Sequence, residues 1–125
     1  MVNFDQREIG PGAPCYLIAE VGTTCLGNMD MALDLVAAGA TAGADAVKFQ
    51  VIDPGQVSNE SDRYTVQWDQ GETSVNMREM FTKLQFSPDQ WRSIKAACVD
   101  ANVAFLATVD YESGVDMLEE IGIAA

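Results

Sequence analysis

Hydrophobic positions along the chain alternate between short continuous runs and stretches spaced by three and four. The run Cys15–Glu20 ("CYLIAE") is almost continuously apolar, as expected of a strand covered on both faces. A shorter extended run, "FDQREIG", precedes it, and Gly10-Pro11-Gly12 supplies the turn between them. Residues 1–14 therefore read as a leading hairpin segment. Asn28 or Asp30 is placed to cap a helix whose Ala32, Leu35, Val36 and Gly39 share one face, and Gly43 is placed to end it. "DAVKFQV" (45–51) is the second strand.

Residues 52–73 lack sustained periodicity and are rich in turn formers, so they read as a long loop, a feature that is usually functional or mobile. A short helical pattern, "VNMREMFTKL", follows. In "SPDQWRSIKAACVDANV" Ser87 is the N-cap, Pro88 the first helical residue and Gln90 the reciprocal partner of a capping box. The apolar face of that helix is Trp91, Ile94, Cys98 and Ala101. "VAFLAT" is a third strand, and "YESGVDMLEEIG" a helix with Val115, Leu118 and Ile121 turned inward. The closing "IAA" reads as the start of a fourth strand. Strands alternating with helices predict right-handed crossovers and a parallel α/β sheet.

Composition narrows the function classes. Of the 125 residues 48% are hydrophobic and 21% charged, a globular balance. The net charge of −12, with no Lys/Arg cluster, disfavours nucleic acid and anionic lipid as partners. The three cysteines lack metal-site spacing and histidine is absent, which argues against a zinc site built from this chain alone. Cys15 and Cys98 read as packing residues, while Cys25 sits in the first strand-to-helix loop without a histidine to activate it. Met31–Ala44, the least polar stretch, is too short to span a bilayer, and "MVNFDQREIG" has no signal-peptide pattern. A cytoplasmic protein with free thiols is expected.

Candidate chemistry gathers at the strand ends. Glu20 follows "YLIA", Lys48 and Gln50 follow "DAV", and Thr108 follows "AFLA". In a parallel α/β fold the C-terminal strand ends share one side, where sites are built. A carboxylate, a cation, an amide and a hydroxyl there suit an anionic, hydroxyl-rich ligand. Each also has a structural reading: Lys48 as a snorkelling residue or an ion-pair partner of Asp45 or Glu20, Glu20 as a solvated strand end, and Gln50 and Thr108 as ordinary strand residues.

The series "IAEVG…LGN", "AGADAVKFQ", "FSPDQWRSIKAACVDANVAFLAT" and "GVDMLEEIGIAA" resembles the sialic acid synthase family from about Tyr16 to Ala125. That resemblance implies a (β/α)8 TIM-type barrel, of which this chain holds about the first half as residues 1–125. A barrel of this kind needs about 250 residues, so the chain is expected to be a fragment that is neither active nor self-sufficient alone. The implied reaction is an aldol-type condensation of phosphoenolpyruvate with an N-acylated amino sugar such as N-acetylmannosamine, yielding a nine-carbon 2-keto acid and phosphate. Glu20 and Lys48 are the implied catalytic residues. Lys48 and Thr108 would bind phosphoenolpyruvate, and Glu20 and Gln50 the sugar. A divalent metal, manganese or magnesium, is implied with ligands outside this chain, and a homodimer is expected. The family usually follows "AEIG" with Asn-His, where this chain has Thr24-Cys25-Leu26, and its third strand usually ends Thr-Pro, where this chain has Thr108-Val109. Two other readings remain: a related barrel synthase acting on another aldehyde such as a phosphorylated sugar, and a non-catalytic binding or assembly domain.

Overall fold

The computed structural model describes residues 1–5 and 7–125. Gln6, which falls in the first expected extended run, lies outside the described residues. That run forms a hairpin by itself: β1 (Val2–Phe4) pairs antiparallel with β2 (Arg7–Ile9), Val2 opposite Ile9. The expected turn at Gly10-Pro11-Gly12 is present, with Ala13 N–H donating to the Gly10 carbonyl at 3.1 Å. β3 spans Ile18–Gly22 and not Cys15–Glu20, because the chain ahead of it is tied to Asp45. The Asp45 carboxylate accepts from Leu17 N–H at 2.7 Å and pairs with the Arg7 guanidinium, and the Leu17 carbonyl accepts from Asp45 N–H. Cys15 is left outside the ladder and exposed, which overturns its reading as a buried thiol.

The central sheet is parallel, in the order β3–β4–β7, with β4 at Ala46–Val51 and β7 at Ala104–Val109. Ile18, Ala46 and Ala104 form one rung across it, and Glu20, Lys48 and Leu106 the rung two residues on. Ala124 N–H donates to the Phe105 carbonyl and Ala107 N–H to the Ala125 carbonyl, so Ile123–Ala125 does begin pairing beside β7. β3 is an edge strand and only one of its faces is covered: Leu17 and Ile18 remain half exposed.

Helices pack on the other face. α1 (Met29–Thr41) starts where the Asn28 side chain accepts from Met31 N–H, and Gly43 at φ 83° follows its end. α4 (Pro88–Asp100) carries both bonds of the Ser87/Gln90 capping box. α5 (Glu112–Ile121) ends on Gly122 in the left-handed conformation. Ala32 and Val36 of α1, Trp91, Ile94 and Cys98 of α4 and Leu118 of α5 meet Val47, Phe49, Val51 and Phe105 of the sheet in one core. Phe86, Trp91, Phe49 and Phe105 form an aromatic chain with successive edge-on contacts of 5.0, 5.9 and 5.9 Å. Truncating Phe49 or Phe105, both fully buried, costs about 3–5 kcal/mol. Val115 departs from its expected inward position: it is 44% exposed, and Gly114 takes the buried place because a Cβ there would meet Val109 at 2.4 Å.

Residues 52–73 are not a structureless loop. α2 (Pro54–Val57) is capped by Asp53, and β5 (Arg63–Trp68) pairs antiparallel with β6 (Gly71–Asn76) across Asp69-Gln70. β6 takes Val75 and Asn76 from the expected helix, so α3 is confined to Met77–Thr82, with Asn76 as its cap. Among the described residues no helix is long and apolar enough to cross a membrane.

Burial in this core pushes the Cys98 thiol from an ordinary 9.0 to about 11, against a smaller opposing effect of the Lys95 charge. The folded state therefore keeps this proton to higher pH than the unfolded state does. Its contribution to stability is complete below pH 9.0 and is lost as pH rises toward about 11. Over that window the loss amounts to roughly 2–3 kcal/mol. Denaturant titrations at pH 8, 9, 10 and 11 are expected to show this alkaline decline, shallower by that amount in Cys98→Ala.

Candidate functional site

Period-two alternation sends Val47, Phe49 and Val51 into the helical core and Ala46, Lys48 and Gln50 to the opposite face. The parallel register carries the same division to both neighbours. Ile18 and Glu20 of β3, and Ala104, Leu106 and Thr108 of β7, share the face of Lys48. This face is graded along the strands. At the N-terminal ends it is apolar and closed: Ala46, Ala104 and Leu106 are buried against Phe4, Tyr16 and Ala124. At the C-terminal ends it is open and polar.

The four residues singled out in the sequence all lie there. Glu20 stands directly opposite Lys48 in the ladder, and Lys48 Nζ is 2.6 Å from Glu20 Oε2. Of the two structural partners considered for Lys48, Glu20 is the one it meets; Asp45 is taken by Arg7. Gln50 and Thr108 face each other on the next rung toward the strand ends. Thr108 Oγ1 lies 3.5 Å from the Phe49 carbonyl, a long hydrogen bond that leaves the hydroxyl available. Beyond Glu20 the register slips, so that Gly22, at φ 56°, pairs with Phe49 and β3 bends away. Lys48 and Glu20 keep 34% and 54% of their side chains exposed. An ion pair so open to water contributes only about 0.2–1 kcal/mol to the fold.

Cys25 packs as a core residue. It is 2% exposed, in the core, and burial raises its thiol above the ordinary range. Arg78 of α3 carries no site signal in the sequence. Its guanidinium donates to the Ser58 carbonyl and pairs with Glu60 at 3.4 Å, joining α3 to the base of the β5–β6 hairpin. No local signal marks that contact, which spans 20 residues of sequence. The donor set does not fit a divalent metal: Glu20 is the one carboxylate among the strand residues of this face, and Lys48 already holds it.

The chain has relatives among known proteins in both sequence and fold. A sequence profile of the NeuB family matches residues 35–125. The N-acetylneuraminate-9-phosphate synthase of Homo sapiens is 30% identical over 120 residues, which are 94% of this chain and 33% of the human protein. The N,N'-diacetyllegionaminic acid synthase of Legionella pneumophila is 28% identical over 115 residues, 91% of this chain and 32% of its own length. The crystal structure of N-acetylneuraminic acid (sialic acid) synthetase from Leptospira borgpetersenii matches the fold with a TM-score of 0.74, at 24% identity over 94% of this chain and 39% of that one. The chain thus spans about a third of the length of the curated relatives it matches.

The loop between Glu20 and α1 holds two neighbouring residues with opposite conformational fit. Leu26 is 66% exposed at φ 51°, a left-handed conformation that a leucine side chain resists. Gly27, at φ 70°, lies so close to the α3–α4 connection that a Cβ would sit 2.1 Å from the Lys83 carbonyl oxygen. Leu26→Asn is expected to stabilise the protein by about 1 kcal/mol by relieving the strain. Gly27→Ala is expected to destabilise it by about 2–4 kcal/mol, through both conformation and collision. Equilibrium urea unfolding of the two variants measures both signs.

Proposed function

Since the chain belongs to the NeuB family, we propose that it forms the first part of a (β/α)8 barrel synthase and supplies the anion-binding half of its site. The observation that carries this reading is the polar end of the helix-free face, where Lys48 is the one cation among the strand residues and stands beside Glu20, with Gln50 and Thr108 a rung away. The proposed reaction condenses phosphoenolpyruvate with an N-acylated amino sugar of the N-acetylmannosamine type. C3 of phosphoenolpyruvate attacks the open-chain aldehyde carbon, forming the new C–C bond, and the aldehyde oxygen takes a proton. Water adds at C2 and loses a proton; the bond from C2 to the bridging oxygen then breaks, phosphate leaves with that oxygen, and the C2 hydroxyl loses its proton to give the nine-carbon 2-keto acid.

In this reading Lys48 offsets the charge of phosphoenolpyruvate and Thr108 donates a hydrogen bond beside it. Gln50 and Glu20 hold hydroxyls of the sugar, and Glu20 is the carboxylate available to exchange a proton with it. The divalent metal expected from the resemblance would take its ligands outside this chain. A cytoplasmic homodimer is the assembly proposed. A sugar-phosphate acceptor, the alternative reading, would need further positive charge from outside this chain.

In the complete protein, Lys48→Gln is expected to weaken phosphoenolpyruvate binding by at least tenfold while changing unfolding free energy by less than about 1 kcal/mol, the worth of an exposed ion pair. Calorimetric titration with phosphoenolpyruvate, together with phosphate release in the presence of N-acetylmannosamine, measures both. Normal affinity in the variant would remove Lys48 from the site.

A further inference from the structure

We propose that Glu20 is a displaceable counter-ion, occupying the anion position of Lys48 until a ligand carboxylate or phosphate replaces it. The inference rests on the reading of Lys48 as the anion-binding group and adds a competition built into that site. Glu20 Oε2 and Lys48 Nζ are 2.6 Å apart. A ligand oxygen bound to the same ammonium would have to stand at a comparable distance. It would then meet the Glu20 carboxylate as a like charge at short range. Both cannot remain.

Three features make Glu20 the group that yields. Among the described residues its carboxylate has no hydrogen-bond donor other than Lys48, so nothing else fixes it. It is the more exposed of the pair, at 54% against 34%, and swings into water without desolvation cost. A Cβ on Gly22 would stand 3.5 Å from Glu20 Oε1, so the glycine leaves that side of the carboxylate free of a side chain. Lys48, by contrast, is the less exposed of the two and rises from a strand paired on both sides. Ligand binding would thus do two things at once. It would satisfy Lys48, and it would release an unpaired carboxylate one rung below Gln50 and Thr108, where the second substrate is read to bind.

The opposite role, in which Glu20 pre-orients Lys48 for the ligand, gives the opposite sign on removal. Calorimetric titration of the complete protein with phosphoenolpyruvate at fixed ionic strength separates them, using the wild type, Glu20→Gln, Glu20→Ala, Lys48→Gln and the Glu20→Gln/Lys48→Gln double variant. Both Glu20 variants are expected to bind roughly three- to tenfold tighter than the wild type, the scale of removing one exposed competing charge. That gain should vanish in the double variant. Equal or weaker binding by the Glu20 variants, with Lys48→Gln still defective, overturns the counter-ion role and leaves Lys48 in place. If the wild type does not bind phosphoenolpyruvate, or Lys48→Gln binds it normally, the reading of the site itself falls.

Discussion

The pairing of β4 with a parallel strand on each side is the constraint on which the rest depends. Because successive residues of a strand point to opposite faces, the register that buries Phe49 under Trp91 also delivers Lys48 and Gln50 to the helix-free face. A slip of one residue would drive the lysine into the aromatic core and expose Phe49. Core packing and site geometry are therefore one specification. The cost of misplacing Phe49, several kcal/mol, is what holds the weakly bonded polar residues in their places.

Among the described residues two ion pairs flank the parallel sheet, and they work differently. Asp45 has a side chain only 16% exposed, and it joins the Arg7 guanidinium to Leu17 N–H. It fastens the leading hairpin to the entry of β3, just before the ladder begins, and Phe4 and Tyr16 then close the N-terminal end of the face in an edge-on contact of 5.4 Å. Lys48–Glu20, at the other end, is open to water and adds little to stability. Apolar closure is concentrated where the strands enter and exposed polar groups where they leave, the division expected of parallel α/β architectures.

Much of this was legible in the sequence, wherever a local rule governs. Ser87-Pro88-Asp89-Gln90 states a helix start through its own hydrogen bonds, and both were found. "DAVKFQV" states a strand through alternation, and alternation is enough to put Lys48 and Gln50 on one side. The failures fall where tertiary partners decide. β6 and the described side chains of β5 bury almost nothing, so no hydrophobic period announces them, and the turn at Asp69-Gln70-Gly71 was the available signal. Cys15 reads as part of an apolar run, but Asp45, 30 positions later in the sequence, keeps that residue out of the sheet by holding Leu17. Val115 fits an inward helical period, yet α5 approaches Val109 too closely for a side chain and turns Gly114 there instead. The Lys48–Glu20 contact was one of two partners the sequence allowed, and Arg7 decided between them by occupying Asp45.

The base of the β5–β6 hairpin is fixed independently of its tip. Met77 N–H donates to the Asp62 carbonyl, the Asn76 amide to the Glu60 carbonyl, and Arg78 to the Ser58 carbonyl. The segment thus leaves and rejoins the body of the protein at points that ignore what lies between them. Doubling the length of a flexible connection costs only about 0.6 kcal/mol, so insertions and deletions at Asp69-Gln70 disturb neither the sheet register nor the Lys48–Glu20 pair. Gene lineages sharing this fold are free to vary here, beyond the C-terminal end of β4, while the strands stay fixed; the hairpin tip is where divergence in length should accumulate first.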